Sequence, residues 1–201
     1  MKIICLTTAD SNSDRALGSE NLLSEIVVKP ETALLVNNKP IYIPHFTNDL
    51  RAIPCLAIRI SRLGRNIEQR FASRYYDATA TALSFRACDQ LQQAQQNRLQ
   101  QAQWDAFDNS FAIGKWFEIQ NTDGCQSYNI VKNDEILIEN ARALTTPEKA
   151  IETVSRYFKL CTGDIIAINM TDRHIPLTIN DTIQITSYSQ PPVTLLSTAI
   201  K

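Results

Sequence analysis

The stretch IPCLAIRISRLGRNI, residues 53–67, contains the strand on which the interpretation of the whole chain depends. Its side chains alternate between two faces, as those of a β-strand do, before Gly64 predicts a turn. One face carries Pro54, Leu56, Ile58 and Ile60, and the other carries Ile53, Cys55, Ala57 and Arg59. The functional question is what the second face contacts.

The composition of the chain excludes several classes of protein. The 201 residues are 44% hydrophobic and 20% charged, with a formal net charge of −1. This length predicts a single domain, residues 1–201, that buries a substantial core. A near-neutral chain without a basic run gives no electrostatic reason to expect nucleic acid or an anionic membrane as a partner. We also expect a cytosolic protein, because no signal-peptide core or membrane-length apolar run is present.

The five cysteines are scattered, and no Cys-x-x-Cys pair is present. Zinc-site spacing is therefore absent, and free thiols that behave as small apolar groups are expected. The cysteines are Cys5, Cys55, Cys88, Cys125 and Cys161.

The remaining segments predict many strands and few helices that do not alternate strictly, which indicates an α+β fold. Helices are predicted at residues 67–75, at the glutamine-rich residues 88–103, and at residues 146–160, where Thr146 is the N-cap. Further strands are predicted at residues 2–8, 78–86, 114–121, 125–133, 135–141, 163–170 and 181–189. The polar residues 7–25 are the best candidate for a lid, although their role is open.

Four motifs, in this order and spacing, resemble the fumarylacetoacetate hydrolase family, which includes acylpyruvate hydrolases and 2-hydroxyhepta-2,4-diene-1,7-dioate isomerases. They are VVKPETALL (27–35), IRISRLGRNI with ASRYYD (58–67 and 72–77), FDNSFAIG (107–114) and VSRYFKLCTGDII (154–166). The resemblance implies a β-rich α+β fold, a mixed β-sandwich roll with a few flanking helices, usually assembled as a homodimer. It also implies hydrolysis, decarboxylation or isomerisation of a dioxo-acid with Mg²⁺ or Mn²⁺ held by three carboxylates.

At the family's functional positions, this chain carries different residues. The two glutamates of the family's Glu-x-Glu strand fall on Ile53 and Cys55, and the third ligand, an aspartate, falls on Ser84. The family's lysine before Gly-Phe-Asp falls on Asp105. We therefore expect no Mg²⁺ or Mn²⁺ and no metal ligand here, because a hard dication requires oxygen donors.

The segments that surround the family's pocket also differ. The pocket-closing Gly-Thr-Pro falls on Asn169, Met170 and Thr171, and the Gln-Gly-Asn-Thr segment falls near residues 137–140, where Asn140 keeps a polar group. Neither His45 nor His174 has the spacing of a ligand partner.

The leading interpretation is a catalytically inactive family member that acts as a binding or scaffolding module. Its partner would be a second copy or an active relative, and Lys29, Ser84 and Arg86 are candidates to bind a small carboxylic acid. The alternative is a divergent enzyme acting on a dioxo-acid such as an acylpyruvate or 2-hydroxyhepta-2,4-diene-1,7-dioate.

Two variants of the enzyme alternative stay open at this point. In a metal-free site, Cys55 would be the nucleophile, or Asp105 and Asp89 would form a carboxylate pair. A register slip would instead bring in Asp49, Asp77 or Asp89, although none of them recreates an i, i+2 acidic pair.

Overall fold

The computed structural model describes residues 1–7, 25–36, 38–99, 102–119 and 127–201. The strands are β1 (Lys2–Thr7), β2 (Glu25–Pro30), β3 (Leu34–Leu35), β4 (Leu50–Ile60), β5 (Tyr76–Ala87), β6 (Phe111–Ile113), β7 (Phe117–Glu118), β8 (Tyr128–Lys132), β9 (Glu135–Ala141), β10 (Ile165–Asn169), β11 (Ile175–Leu177), β12 (Thr182–Ser187) and β13 (Thr194–Ala199). The α-helices are α1 (Cys88–Gln96), α2 (Ala102–Asp105) and α3 (Pro147–Tyr157), and 3-10 helices form at Glu31–Ala33 and Gln69–Arg74.

The described strands form two sheets. The larger has the order β2-β1-β10-β4-β5-β6-β3, with β11 beside β4 and β7 beside β5, and the smaller has the order β13-β12-β8-β9. The larger sheet is mixed, because β1 pairs with β10 and β3 with β6 in parallel, whereas β4 and β5 are antiparallel. The predicted fold class, a strand-rich α+β fold with mixed curled sheets and a few helices, is confirmed.

The two faces of β4 contact different cores, as the alternation predicts. Ile53, Cys55 and Ala57 pack in one buried cluster with side chains of β1, β5, β6 and β10. On the opposite face, Ile58 and Ile60 pack against α3 and the Gln69–Arg74 helix. On that same opposite face, the side chains at the start of β4 pack in the core between the two sheets. Strand β4 is therefore buried on both sides, and its cysteine-bearing face lies in the interior.

Helix α3 begins at the predicted cap. The Thr146 side chain accepts a hydrogen bond from the Lys149 backbone N–H, and Pro147 occupies the first helical position. Ala150, Ile151 and Val154 are buried in the cluster that α3 forms with β10, the Gln69–Arg74 helix and the end of β4. Within the described ranges, no helix combines the length and the apolar character that spanning a membrane requires.

Three local predictions were wrong in extent or type. The helix predicted at 88–103 ends at Gln96, because Arg98 adopts a left-handed φ of 55° and closes a Schellman motif with bonds from Leu99 N–H to Ala94 O and from Arg98 N–H to Gln95 O. The helix predicted at 67–75 is a short 3-10 helix without a side-chain cap. Strand β4 ends at Ile60, four residues before Gly64.

Strands β6, β11 and β13 are among those that were not predicted. β6 and β11 have three residues each and pair with the distant strands β5 and β4, whereas β13 pairs with the preceding strand β12. The candidate lid falls largely on residues 8–24, which lie outside the described residues.

Candidate functional site

Ile53, Cys55 and Ser84 are brought together by the pairing of β4 with β5. Ile53 is directly opposite Ser84, and Cys55 is opposite Asn169 of β10 on its other side. Ile53 and Cys55 are fully buried and Ser84 is 2% exposed. The resemblance therefore identifies three positions that are neighbours in space, in the packed interior of the larger sheet.

The two thiols of this interior are held in their neutral form. Burial raises the pKa of Cys55 well above its ordinary value, and the nearby Cys5 adds to the effect. Burial also raises the pKa of Cys5, against the opposing charge of Lys29. The Cys5 Sγ donates to Ser84 Oγ over 3.9 Å, which is a long sulfur contact. The only hydroxyl among the three positions therefore already has a partner.

The hydrogen bonds of the Cys55 thiol do not activate it as a nucleophile. Its Sγ donates to Ile53 O over 3.3 Å and faces Asn169 Oδ1 over 3.5 Å. Both partners are acceptors rather than bases that could take the thiol proton, and reactive cysteines are accessible and have lowered pKa values. The Nδ2 of Asn169 is buried and has no hydrogen-bond partner within the described residues.

Lys29 is fully buried, and its ammonium group has three acceptors. The Nζ donates to Phe85 O over 3.0 Å, to Ser110 O over 3.0 Å and to Ser110 Oγ over 3.3 Å. Burial lowers the pKa of Lys29, while Cys5 and Asp105 partly restore it. An ammonium has three protons to donate, so these acceptors match its full capacity.

Arg86 and Asp105 form a buried ion pair. Arg86 Nε donates to Asp105 Oδ1 over 2.6 Å, and both residues are less than 5% exposed. Arg86 Nη2 also donates to Glu25 Oε2 over 3.2 Å. Burial alone would lower the pKa of Arg86, but the charge of Asp105 and its hydrogen bond hold that pKa above the ordinary value.

The ion pair and the lysine belong to one network. Ser110 Oγ accepts from Lys29 and donates to Asp105 O over 2.9 Å, which connects β2 to the end of α2. We name the connected residues Glu25, Lys29, Arg86, Asp105 and Ser110 the interior charge network. Lys29 and Arg86, the ligand candidates from the sequence, both bond within the protein. Asp105, at the position of the family's lysine, is paired with Arg86.

The other acids considered from the sequence do not join this network. Asp49 pairs with Arg51 over 2.8 Å, and Asp77 pairs with Arg59 over 2.8 Å. Asp89 accepts from Asn48 N–H, and hydrogen bonds from neighbours lower its pKa although burial opposes them. Asp89 and Asp105 thus have different partners, and the structure shows no contact that would make them a catalytic pair.

The donor set does not fit the metal that the family resemblance implies. A hard dication is held by carboxylate and other oxygens, whereas the corresponding positions supply an alkyl group, a neutral thiol and one occupied hydroxyl. Throughout the described ranges, no three His, Cys, Asp or Glu side chains come together as a potential metal site.

Comparison with known proteins agrees with the resemblance. Residues 2–168 match the family described as fumarylacetoacetate (FAA) hydrolase, C-terminal. No curated protein matches the chain.

Solved structures show the same fold at low sequence identity. A fumarylpyruvate hydrolase from Pseudomonas aeruginosa, in complex with Mn²⁺ and pyruvate, is 15% identical with a TM-score of 0.82, covering 100% of this chain and 89% of its own. A 5-carboxymethyl-2-hydroxymuconate delta-isomerase from Mycobacterium smegmatis is 20% identical with a TM-score of 0.81. The match covers 99% of this chain and 78% of the isomerase chain. A 2-hydroxyhepta-2,4-diene-1,7-dioate isomerase from Mycobacterium marinum is 20% identical with a TM-score of 0.79. The match covers 99% of this chain and 73% of the isomerase chain.

The fold is thus shared over nearly the whole chain, and the sequence match covers residues 2–168. The chain belongs to the fumarylacetoacetate hydrolase family.

Proposed function

We propose that this chain is a catalytically inactive member of its family, which acts as a binding or scaffolding subunit rather than as a metal-dependent hydrolase or isomerase. The observation that carries the proposal is the interior at Ile53, Cys55 and Ser84, which is packed and offers no carboxylate. In the family's chemistry a dication stabilises an enolate, and that stabilisation requires the ion. Without its ligands, the largest electrostatic contribution to that reaction is lost.

The interior charge network supports the same conclusion. An active site for a dioxo-acid needs cationic groups that are free to meet the substrate's developing negative charge. Lys29 instead donates to three protein acceptors, and Arg86 is neutralised by Asp105 and Glu25. Binding a substrate acid here would require breaking buried bonds, each of which costs about 1–3 kcal/mol when its partner is left unsatisfied.

A metal-binding and activity measurement tests the proposal. Mn²⁺ and Mg²⁺ are titrated into the purified protein by calorimetry, and turnover of an acylpyruvate is followed by absorbance. The fumarylpyruvate hydrolase from Pseudomonas aeruginosa, whose structure holds Mn²⁺, is the positive control. We expect no saturable metal binding and no turnover by this chain. Mn²⁺ binding together with turnover that is lost in Ser84→Ala would overturn the proposal.

The scaffolding half of the proposal has its own measurement. We expect light scattering on a sizing column to report a dimer of this chain or, after co-expression with an active family member, a mixed oligomer. A monomer under both conditions would contradict the scaffolding role. A crystal soaked with Mg²⁺ and oxalate distinguishes the binding role, because density for either near Ser84 would show that the interior still admits a ligand.

The competing function is a divergent enzyme acting on a dioxo-acid, and membership of a family of hydrolases and isomerases favours it. The same titration and assay decide between the two functions.

A further inference from the structure

A surface cleft lies between the loop after β4 and the 3-10 helix Gln69–Arg74. It has a volume of about 300 Å³, which is at the lower end of the range for small-molecule sites. Its lining combines two guanidinium groups, from Arg65 and Arg74, with the apolar or aromatic side chains of Ile67, Phe71 and Tyr75. It shares no residue with the interior charge network.

The lining carries one acid beside its two arginines. Glu68, the acid in the lining, is paired with Arg70 through an Nη2–Oε2 contact of 2.8 Å. Arg65 and Arg74 form no ion pair with any residue that the structure describes. Two arginines without an ion-pair partner among the described residues therefore line one cleft, and a guanidinium group can form charged hydrogen bonds with an anion.

The loop that carries Arg65 is held where it begins. Gly64 and Leu160 exchange two backbone hydrogen bonds of 3.0 and 2.8 Å in an isolated antiparallel bridge. Arg65 is the next residue and is exposed.

The cleft is held in shape before any ligand arrives. The N–H groups of Asn66 and Ile67 donate to Ser155 O and Ser155 Oγ, each over 2.9 Å, which fixes the loop to α3. The Arg74 guanidinium carbon lies 5.5 Å from the centroid of the Phe71 ring, a cation–π contact that orients the side chain. A rigid site loses less conformational entropy on binding.

We propose that this cleft binds a small aromatic anion with two negative charges, either a phosphate monoester or an aromatic dicarboxylate. The two guanidinium groups match a doubly charged group through bidentate bonds, and Phe71 and Tyr75, which keep exposed surface, match a planar apolar body.

Phenyl phosphate and phthalate are the probes for the test, titrated by calorimetry into the wild-type chain. The variants Arg65→Gln and Arg74→Gln each remove one lining charge. Arg62→Gln is the matched control, because Arg62 is an exposed arginine of the same loop that does not line the cleft. Thermal melting of each variant shows that it is folded.

We expect saturable binding with one site, and about a tenfold or larger loss of affinity in each lining variant, because each variant removes charged hydrogen bonds to the anion. Arg62→Gln should change the affinity by less than about twofold, since exposed charges outside the site are largely screened. A preference for either probe supports the proposal and identifies the anionic group. No saturable binding of either probe, an equal loss in Arg62→Gln, or inorganic phosphate binding as tightly as phenyl phosphate would overturn it.

Discussion

Arg86 and Arg74 have the same side chain in opposite surroundings. Arg86 is 4% exposed, and its charge is neutralised by Asp105 and Glu25. Arg74 is exposed, lies over the ring of Phe71 and forms no ion pair within the described residues. The chemistry available to an arginine thus depends on whether the fold already supplies its counter-charge. The interior arginine contributes to stability, whereas the surface arginine remains free to bind.

The largest effect is expected from removing the interior charge. Arg86→Gln leaves Asp105 ionised and buried without a full counter-charge, which costs about 3–5 kcal/mol of the free energy of unfolding. Urea denaturation measures the loss. The double variant Arg86→Gln/Asp105→Asn removes both charges and should recover most of it. A single-variant loss under about 1 kcal/mol would show that the pair does not stabilise the interior.

The second prediction concerns pH and the two buried thiols. The pKa values of Cys5 and Cys55 are raised in the folded state by burial, so both thiols keep their protons when the unfolded chain releases its own. The unfolded state then binds fewer protons, and stability falls as pH rises above about 9, with a slope of about 1.4 kcal/mol per pH unit for each thiol. Below that pH their contribution is fully present.

Lys29 changes stability in the opposite direction over part of this range. Burial lowers its pKa in the folded state, so the unfolded chain binds more protons and stability rises with pH between the two pKa values. The double variant Cys5→Ala/Cys55→Ala separates the two effects, because only the thiols are removed. Urea denaturation between about pH 8 and 10 should show a flatter alkaline loss in this variant than in wild type. Identical slopes would contradict the assignment.

Substitution of Gly64, next to the cleft, should lower stability less than Arg86→Gln does and should also weaken ligand binding. A Cβ added at Gly64 would lie 2.5 Å from Tyr75 Cε1 and 2.8 Å from Ile67 Cδ1, and both side chains line the cleft. We expect Gly64→Ala to cost about 1–3 kcal/mol through overpacking and to weaken phenyl phosphate binding, because Tyr75 and Ile67 must shift.

The control for this variant is Gly163→Ala. Gly163 has a φ of 87° and no atom within 4 Å of an added Cβ, so its substitution strains the backbone without contacting the cleft. It should lower stability but leave the affinity for phenyl phosphate unchanged. If both variants weaken binding equally, a general loss of stability explains the effect.

The sequence predicted which residues lie together in the interior better than it predicted which charged residues pair there. The alternation of residues 53–60 follows from the strand period, and the family motifs place Ile53, Cys55 and Ser84 together. The pairing of Arg86 with Asp105 joins residues 19 positions apart, at the end of β5 and the end of α2, and Arg98, rather than a glycine, occupies the left-handed position that ends α1. No local sequence signal marks that pairing.

The cleft was missed for a different reason. Residues 67–75 were interpreted as a helix that links two strands, and their arginines were not counted as a group. The available signal was the density of arginines, since Arg62, Arg65, Arg70 and Arg74 fall within thirteen residues. Which of them line a common cavity depends on the 3-10 geometry and on the bonds to Ser155.

The smallest stability effect is expected for Arg74→Gln, the surface counterpart of Arg86→Gln. No carboxylate depends on Arg74 within the described residues, so its removal leaves no buried charge and should change the free energy of unfolding by no more than about 0.5 kcal/mol. The lost cation–π contact with Phe71 lowers stability slightly, while the reduced repulsion among the cleft arginines raises it. Urea denaturation beside Arg86→Gln, under identical conditions, measures the contrast directly. A loss at Arg74 comparable to that at Arg86 would mean that the cleft arginine stabilises the fold, and its charge would then not be free for a ligand.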